Sequence, residues 1–112
     1  MRGQIFGDPL TSKPIVALHG YLDNSNSFKP MASTLTENGY YVIAFDYPGQ
    51  GLSSHFPKGM IYTPKSYLTC IRRAIKHLNL NRFVILSHSY GVILSFMVWI
   101  IILIALHFIQ VF

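Results

Sequence analysis

The sequence predicts an α/β fold in which parallel strands are covered by helices on both faces. Three short apolar runs carry that expectation: residues 14–18 (PIVAL), 40–45 (YYVIAF) and 83–86 (FVIL). None alternates in the manner of a half-exposed strand, so each is expected to be buried on both sides. Helical patterns separate the runs, and strand-helix alternation of this kind builds parallel sheets with right-handed crossovers. Each run also ends in a cluster of glycine and polar residues, where chains of this class gather their chemistry.

Taken in order, the first run enters His19-Gly20. Residues 24–27 (NSNS) supply capping side chains for a modest helix over residues 28–38, with Pro30 tolerated in the first turn and Gly39 closing it. The second run ends at Asp46, and residues 47–59 form a loop by their turn chemistry: Pro48-Gly49, Gly51, Pro57 and Gly59. Thr63-Pro64 marks the next helix start as N-cap and first helical residue. Tyr67, Leu68, Ile71, Ala74, Ile75 and Leu78 then recur at helical spacing, with Lys65, Arg72, Arg73 and Lys76 on the other face. The third run is followed by a turn, and a helix is expected just after Ser89.

The chain has 112 residues, enough for one small domain; at 51% hydrophobic and 12% charged it has the composition of a packed core rather than of a disordered segment. Its net charge of +5 comes from bases scattered singly, Arg72-Arg73 apart, with no aromatic-basic stripe, so nucleic acid is not an expected partner. Cys70 is the only cysteine, which rules out an internal disulfide and fits a reduced compartment. Met1 to Leu10 has no apolar stretch of the signal-peptide kind.

Ser87-His88-Ser89-Tyr90-Gly91 lies between an apolar strand and an apolar helix. A turn that sharp needs small residues two before and two after its central serine, and it lifts the Oγ clear of the sheet. Gly91 meets that need, and Ser87 stands where glycine is more usual. Leu18-His19-Gly20-Tyr21 follows the first strand and Asp46-Tyr47-Pro48-Gly49-Gln50-Gly51-Leu52-Ser53 the second. With all three motifs in this order, the sequence resembles the α/β-hydrolase family over about residues 3–98, and within it the serine hydrolase-like proteins, through LHGYLDNSNSFKPM, FDYPGQGLSSHFPKGMIY and NRFVILSHSYG.

That resemblance implies esterase-like acyl hydrolysis with Ser89 as nucleophile and the backbone N–H groups of Tyr21 and Tyr90 as oxyanion hole. His19, Gly20, Asp46, Gly49, Gly51, Ser87, His88 and Gly91 are the supporting motif residues. It implies no cofactor and no metal, and a small ester-like substrate for the completed enzyme. The family places its triad acid and histidine after the serine. Here 23 residues follow Ser89 and none is acidic. His107, 18 positions on, would lie about 27 Å away along a helix. His88 is expected to leave the turn in another direction, His19 to brace the oxyanion loop, and His55 and His77 to be solvated. Asp23 and Asp46 are expected to hold loops. The triad is therefore expected to be incomplete and the sequence to be the first part of a larger enzyme, with two unpaired sheet edges that invite association.

No Lys, Arg, Asp or Glu occurs beyond Arg82. Residues 92–112 would span about 31 Å as a helix, close to the thickness of a bilayer core. Two expectations compete. The first is a transmembrane helix, with the folded part cytoplasmic by the positive-inside rule. The second is the usual buried helix after the turn, which accounts for residues 92–98 but not for WIIILIAL at 99–106, which has no polar face. The organisation expected is a partial domain over residues 1–98 and an apolar extension over 99–112; without insertion the chain would be cytoplasmic.

Overall fold

The computed structural model describes the backbone of residues 1–111 and the side chains of residues 1–102. The elements run β1 (Arg2–Phe6), β2 (Lys13–Leu18), a 3-10 turn (Ser25–Phe28), α1 (Lys29–Glu37), β3 (Tyr40–Asp46), α2 (Pro64–His77), β4 (Val84–Ser87) and α3 (Tyr90–Val111). The sheet order is β1-β3-β2-β4. The three apolar runs form the parallel part: β2 pairs with β3 from Lys13↔Tyr40 to Ala17↔Ala44, and with β4 from Ile15↔Val84 to Leu18↔Ser87.

The expectation of three parallel strands is corrected to a mixed sheet of four. β1 runs antiparallel to β3, from Arg2↔Asp46 to Phe6↔Val42, and so covers one of the two sheet edges expected to be unpaired. Its sequence, RGQIF, is mostly exposed and carries no apolar run, because an edge strand is held by backbone pairing with little burial. The helix expected over residues 28–38 is divided: Asn24 caps a 3-10 turn by accepting from the Asn26 N–H, and the α-helix starts at Lys29 with Pro30 in its first turn. α2 begins as its motif predicts, in a reciprocal capping box between Thr63 and Ser66.

Side chains alternate between two cores, as the period of two along a strand requires. On one face Val16, Leu18, Tyr41, Ile43 and Phe45 pack against Tyr67, Leu68 and Ile71 of α2 and Leu94 and Val98 of α3. On the other, Ile15, Ala17, Val42 and Ala44 pack against Phe28, with Leu35 of α1 at the margin. Helices thus cover both faces. The first part of α3 lies on the sheet through Leu94 and Val98, as a helix following the turn should. Among the described residues, no helix is long and apolar enough to cross a membrane. The transmembrane expectation for residues 92–112 falls in part on 103–112, whose side chains lie outside the described residues.

Candidate active site

Only His88 and Ser89 separate the end of β4 from the start of α3. A reversal that short forces Ser89 to φ +54°, the left-handed region. A non-glycine residue there costs about 1–3 kcal/mol and persists only when its surroundings over-determine it. Three backbone hydrogen bonds do so: Gly91 N–H to His88 O at 3.0 Å, Val92 N–H to Ser89 O at 3.0 Å, and His88 N–H to Leu18 O at 3.1 Å. The last ties the turn to the end of β2.

Gly91 is where helix and strand come closest. A Cβ built on it would overlap Leu18 O and stand 2.7 Å from Leu18 C and 2.8 Å from His19 O, all backbone atoms. Ser87, two residues before the central serine, is half-buried and its Oγ lies 3.3 Å from Ser95 Oγ. His88 and Ser89 are exposed. Ser89 stands one residue before the N-terminus of α3, where the first N–H groups of a helix have no intrahelical acceptor and favour negative charge.

The loop after β2 lies against this turn. A Cβ on Gly20 would sit 3.4 Å from Ser89 Cβ and from His88 Nδ1. The next residue, Tyr21, meets Tyr90 edge to face with ring centroids 5.9 Å apart. Among the described residues, the N–H groups of Tyr21 and Tyr90 donate to no backbone acceptor in a loop, turn or cap. Asp23 fastens the loop by accepting from Ser27 Oγ at 2.6 Å and from the Asn24 N–H at 2.9 Å. The Ser27 hydroxyl first, then the Asn24 N–H, draw its carboxyl below the usual range despite some desolvation.

His19 is fully buried and both ring nitrogens are engaged. Tyr47 N–H donates to Nε2 at 3.3 Å, so that nitrogen is an acceptor, and Nδ1–H donates to Gly20 O at 2.6 Å. Tyr47 stacks on the imidazole at 3.9 Å and its hydroxyl donates to His19 O at 2.8 Å. Burial lowers the His19 pKa, against the opposing pull of the Gly20 carbonyl and of Asp23 and Asp46. A neutral ring with no free nitrogen is a brace between the two loops, as its sequence context suggests.

Asp46 ends β3 and organises the loop that follows. Its carboxylate accepts from the Ser25 N–H at 2.7 Å and the Leu52 N–H at 3.0 Å, while its carbonyl accepts from Ser53 Oγ. Burial alone would raise the Asp46 pKa; the donated hydrogen bonds outweigh it and hold the group below the usual carboxylate range. Gly51, at φ +53°, passes so close that a Cβ would be 2.7 Å from Asp46 Oδ1. Gly49, at φ +78°, packs under the ring of Tyr62, 2.8 Å from where its Cβ would be. Ser53 Oγ also accepts the Arg2 N–H at 2.7 Å, joining the loop to β1.

A wall of aromatic rings stands beside the turn and was not singled out as site structure by the sequence. Tyr67 of α2 lies edge-on to Tyr90 at 6.2 Å and tilted on Tyr47 at 5.3 Å. Gln50 Nε2 donates to Tyr67 Oη at 3.1 Å. Burial raises the pKa of Tyr47, Tyr67 and Tyr90, so all three hydroxyls stay protonated at neutral pH. The spacing of Tyr67 marked it only as a core position of α2. The signal for its second contact is the aromatic at Tyr90 beside the serine.

Among the described residues, no histidine nitrogen hydrogen-bonds Ser89 Oγ. His55 Nδ1 is 3.4 Å from Tyr62 Oη in an exposed loop, and His77 closes α2. His107 lies outside the residues whose side chains are described. Also among the described residues, no set of three metal-ligating side chains comes together.

A strand-turn-helix with a left-handed serine, flanked by a glycine loop and an aspartate-glycine loop at the ends of neighbouring parallel strands, defines a class. The family model described as alpha/beta hydrolase fold matches residues 13–99, and the chain belongs to that family. Within it, the chain is similar to serine hydrolase-like proteins. The one from Danio rerio is 41% identical over 91 residues, covering 81% of this chain and 27% of the relative. One from Homo sapiens is 44% identical over 82 residues, covering 73% and 40%. The matched part of the chain thus covers 27% of the first of these relatives and 40% of the second. Among solved structures, a hypothetical protein from Pseudomonas aeruginosa superposes with a TM-score of 0.78 at 36% identity, over 86% of this chain and 33% of that one. An esterase from Exiguobacterium antarcticum superposes at 0.77 with 28% identity, over 88% and 35%.

Proposed function

We propose that this chain is the nucleophile-bearing part of a serine hydrolase that cleaves small ester-like substrates through an acyl-serine. Ser89 Oγ attacks the acyl carbonyl, and the N–H groups of Tyr90 and Tyr21 receive the oxyanion. The alcohol leaves, and water then releases the acid and regenerates the serine. Oxyanion donors act on charge that exists only in the transition state, and one such donor is worth about 3–4 kcal/mol. His19, Asp46, Gly49 and Gly51 hold the two loops, while Gly20 and Gly91 permit the close approach that sets the donors beside Ser89. The observation that carries this reading is Ser89 at φ +54° between β4 and α3. The general base and its orienting acid are assigned to segments the relatives have beyond the matched part.

A second reading is a hydrolase-like chain without catalysis of its own. It is favoured by the lack, among the described residues, of any histidine bonded to Ser89 Oγ, since a serine hydroxyl without a base is a weak nucleophile at neutral pH. A fluorophosphonate probe separates the two, with the adduct located by peptide mass spectrometry. Adduct at Ser89, absent from Ser89→Ala, supports the hydrolase reading. A folded protein that takes no label at Ser89 overturns it for this chain and leaves the family membership intact.

A further inference from the structure

We propose that Tyr67 is a positioning residue: from α2 it sets the ring of Tyr90, and through that ring the spacing of the two N–H groups offered to the oxyanion. This role rests on the hydrolase reading above and falls to a side chain that none of the three loop motifs contains. Tyr67 is only 3% exposed and lies between two other rings. It stands at 84° to Tyr90 with centroids 6.2 Å apart, and lies tilted by 31° on Tyr47 at 5.3 Å. Each of those rings belongs to one side of the site. Tyr90 immediately follows Ser89, and its ring meets Tyr21 edge to face at 5.9 Å. Tyr47 stacks on His19 at 3.9 Å and bonds the His19 carbonyl, two residues before Tyr21. The contacts therefore close on themselves: Tyr67, Tyr90, Tyr21, the backbone of Gly20, His19, Tyr47 and back to Tyr67. Both candidate donors, the Tyr90 and Tyr21 N–H groups, belong to residues of this circuit. Without Tyr67, Tyr90 and Tyr21 keep each other but lose the fixed body on which both sides lean.

Gln50 fixes Tyr67 in turn. Its Nε2 donates to Tyr67 Oη at 3.1 Å, while its Oε1 is buried with no hydrogen-bond partner among the described residues. An unpartnered buried carbonyl oxygen opposes folding, so stability does not explain a glutamine at this position. What it supplies is a fixed Tyr67 hydroxyl. The ring is then held at its tip by Gln50 and on its sides by Tyr47 and Tyr90. A core position alone asks for an apolar side chain of this size; it does not ask for a hydroxyl bonded to a loop amide.

The test is fluorophosphonate labelling of Ser89 in the full chain, at fixed imidazole, followed as a function of probe concentration. Donors that act on the transition state change the rate at saturating probe and leave the half-saturating concentration alone. Tyr67→Leu, which removes the ring, is expected to lower the saturating rate about 100-fold, the cost of a small misplacement of catalytic groups. Gln50→Met combined with Tyr67→Phe removes both polar ends and keeps the volume. This double variant is expected to be at least as stable as the parent in urea, because neither residue is left with an unpaired buried group. It is nonetheless expected to label about 5-fold more slowly, the worth of one hydrogen bond. Ile71→Val trims the same buried core one turn further along α2, and is expected to lose stability while labelling at the parent rate. Equal saturating rates for Tyr67→Leu and the parent overturn the proposal. So does an equal slowing by Ile71→Val, or a loss confined to the half-saturating concentration. If circular dichroism shows that Tyr67→Leu does not fold, the double variant decides alone, and labelling at the parent rate overturns the proposal. A parent chain that takes no label overturns the hydrolase reading and this role with it, whereas a parent that labels and variants that match it overturn the role alone.

Discussion

Replacing Gly91 with alanine tests the close approach on which the Ser89 turn depends. The added methyl would stand 2.7 Å from Leu18 C and 2.8 Å from His19 O, and would overlap Leu18 O. None of these is the end of a flexible side chain, so α3 or the end of β2 must move. Forcing a methyl into packed structure costs about 1–3 kcal/mol. The displacement also strains the His88 N–H to Leu18 O bond, whose loss adds about 1 kcal/mol. The expected total is about 2–4 kcal/mol. Gly20→Ala is the matched control, because its methyl would meet its nearest atoms at 3.4 Å, within ordinary contact distance; its cost is expected to stay below about 1 kcal/mol. Urea unfolding followed by far-ultraviolet circular dichroism gives both values. With a slope of about 1–2 kcal/mol per molar, Gly91→Ala should lower the midpoint by at least about 1 M. A midpoint within about 0.3 M of the parent, or a larger loss for Gly20→Ala than for Gly91→Ala, would refute the reasoning.

Other predictions concern strain and protons. Ser89→Gly relieves the left-handed backbone and should raise stability by about 1 kcal/mol in the same urea assay; a loss of stability would show that Ser89 is not strained. His19 has a folded pKa lowered from 6.5, so above about pH 6.5 its buried neutral ring adds no cost. As pH falls below 6.5 the unfolded chain takes up the proton first, and stability declines until the folded pKa is reached. The urea midpoint should therefore drop between about pH 7.5 and 5.5, and this drop should be reduced in His19→Asn. Asp46, lowered from 3.8, adds a second loss only once pH falls below that value.

Much of the parallel core was legible because burial on both faces leaves an unmistakable mark: PIVAL, YYVIAF and FVIL became β2, β3 and β4 within a residue or two. The start of α2 was equally plain, since Thr63-Pro64 before an apolar stripe reads as N-cap and first helical residue; the reciprocal bond from Ser66 was not foreseen. β1 was not legible. RGQIF buries little, and what holds it is pairing with β3 forty residues away, which leaves no local pattern. At the site, the sequence placed the three loops and suggested His19 as a brace. It could not show why: the answer is Tyr47, which donates to one ring nitrogen, stacks on the ring and bonds the His19 carbonyl. The Tyr67–Tyr90 and Tyr67–Gln50 contacts join α2 to the turn across distant sequence, and periodicity alone assigns Tyr67 to the core.

Dependence of fluorophosphonate labelling at Ser89 on added imidazole tests the central claim most directly. On the proposed reading, Ser89 at φ +54° and the Tyr21 and Tyr90 N–H groups form the nucleophile and candidate oxyanion donors, while among the described residues no histidine nitrogen hydrogen-bonds Ser89 Oγ. Labelling of the full chain should then be slow in buffer, rise with imidazole concentration as the free base supplies the missing proton acceptor, and vanish in Ser89→Ala. Folded protein that takes no label at Ser89 at any imidazole concentration, or an adduct that persists in Ser89→Ala, would contradict it.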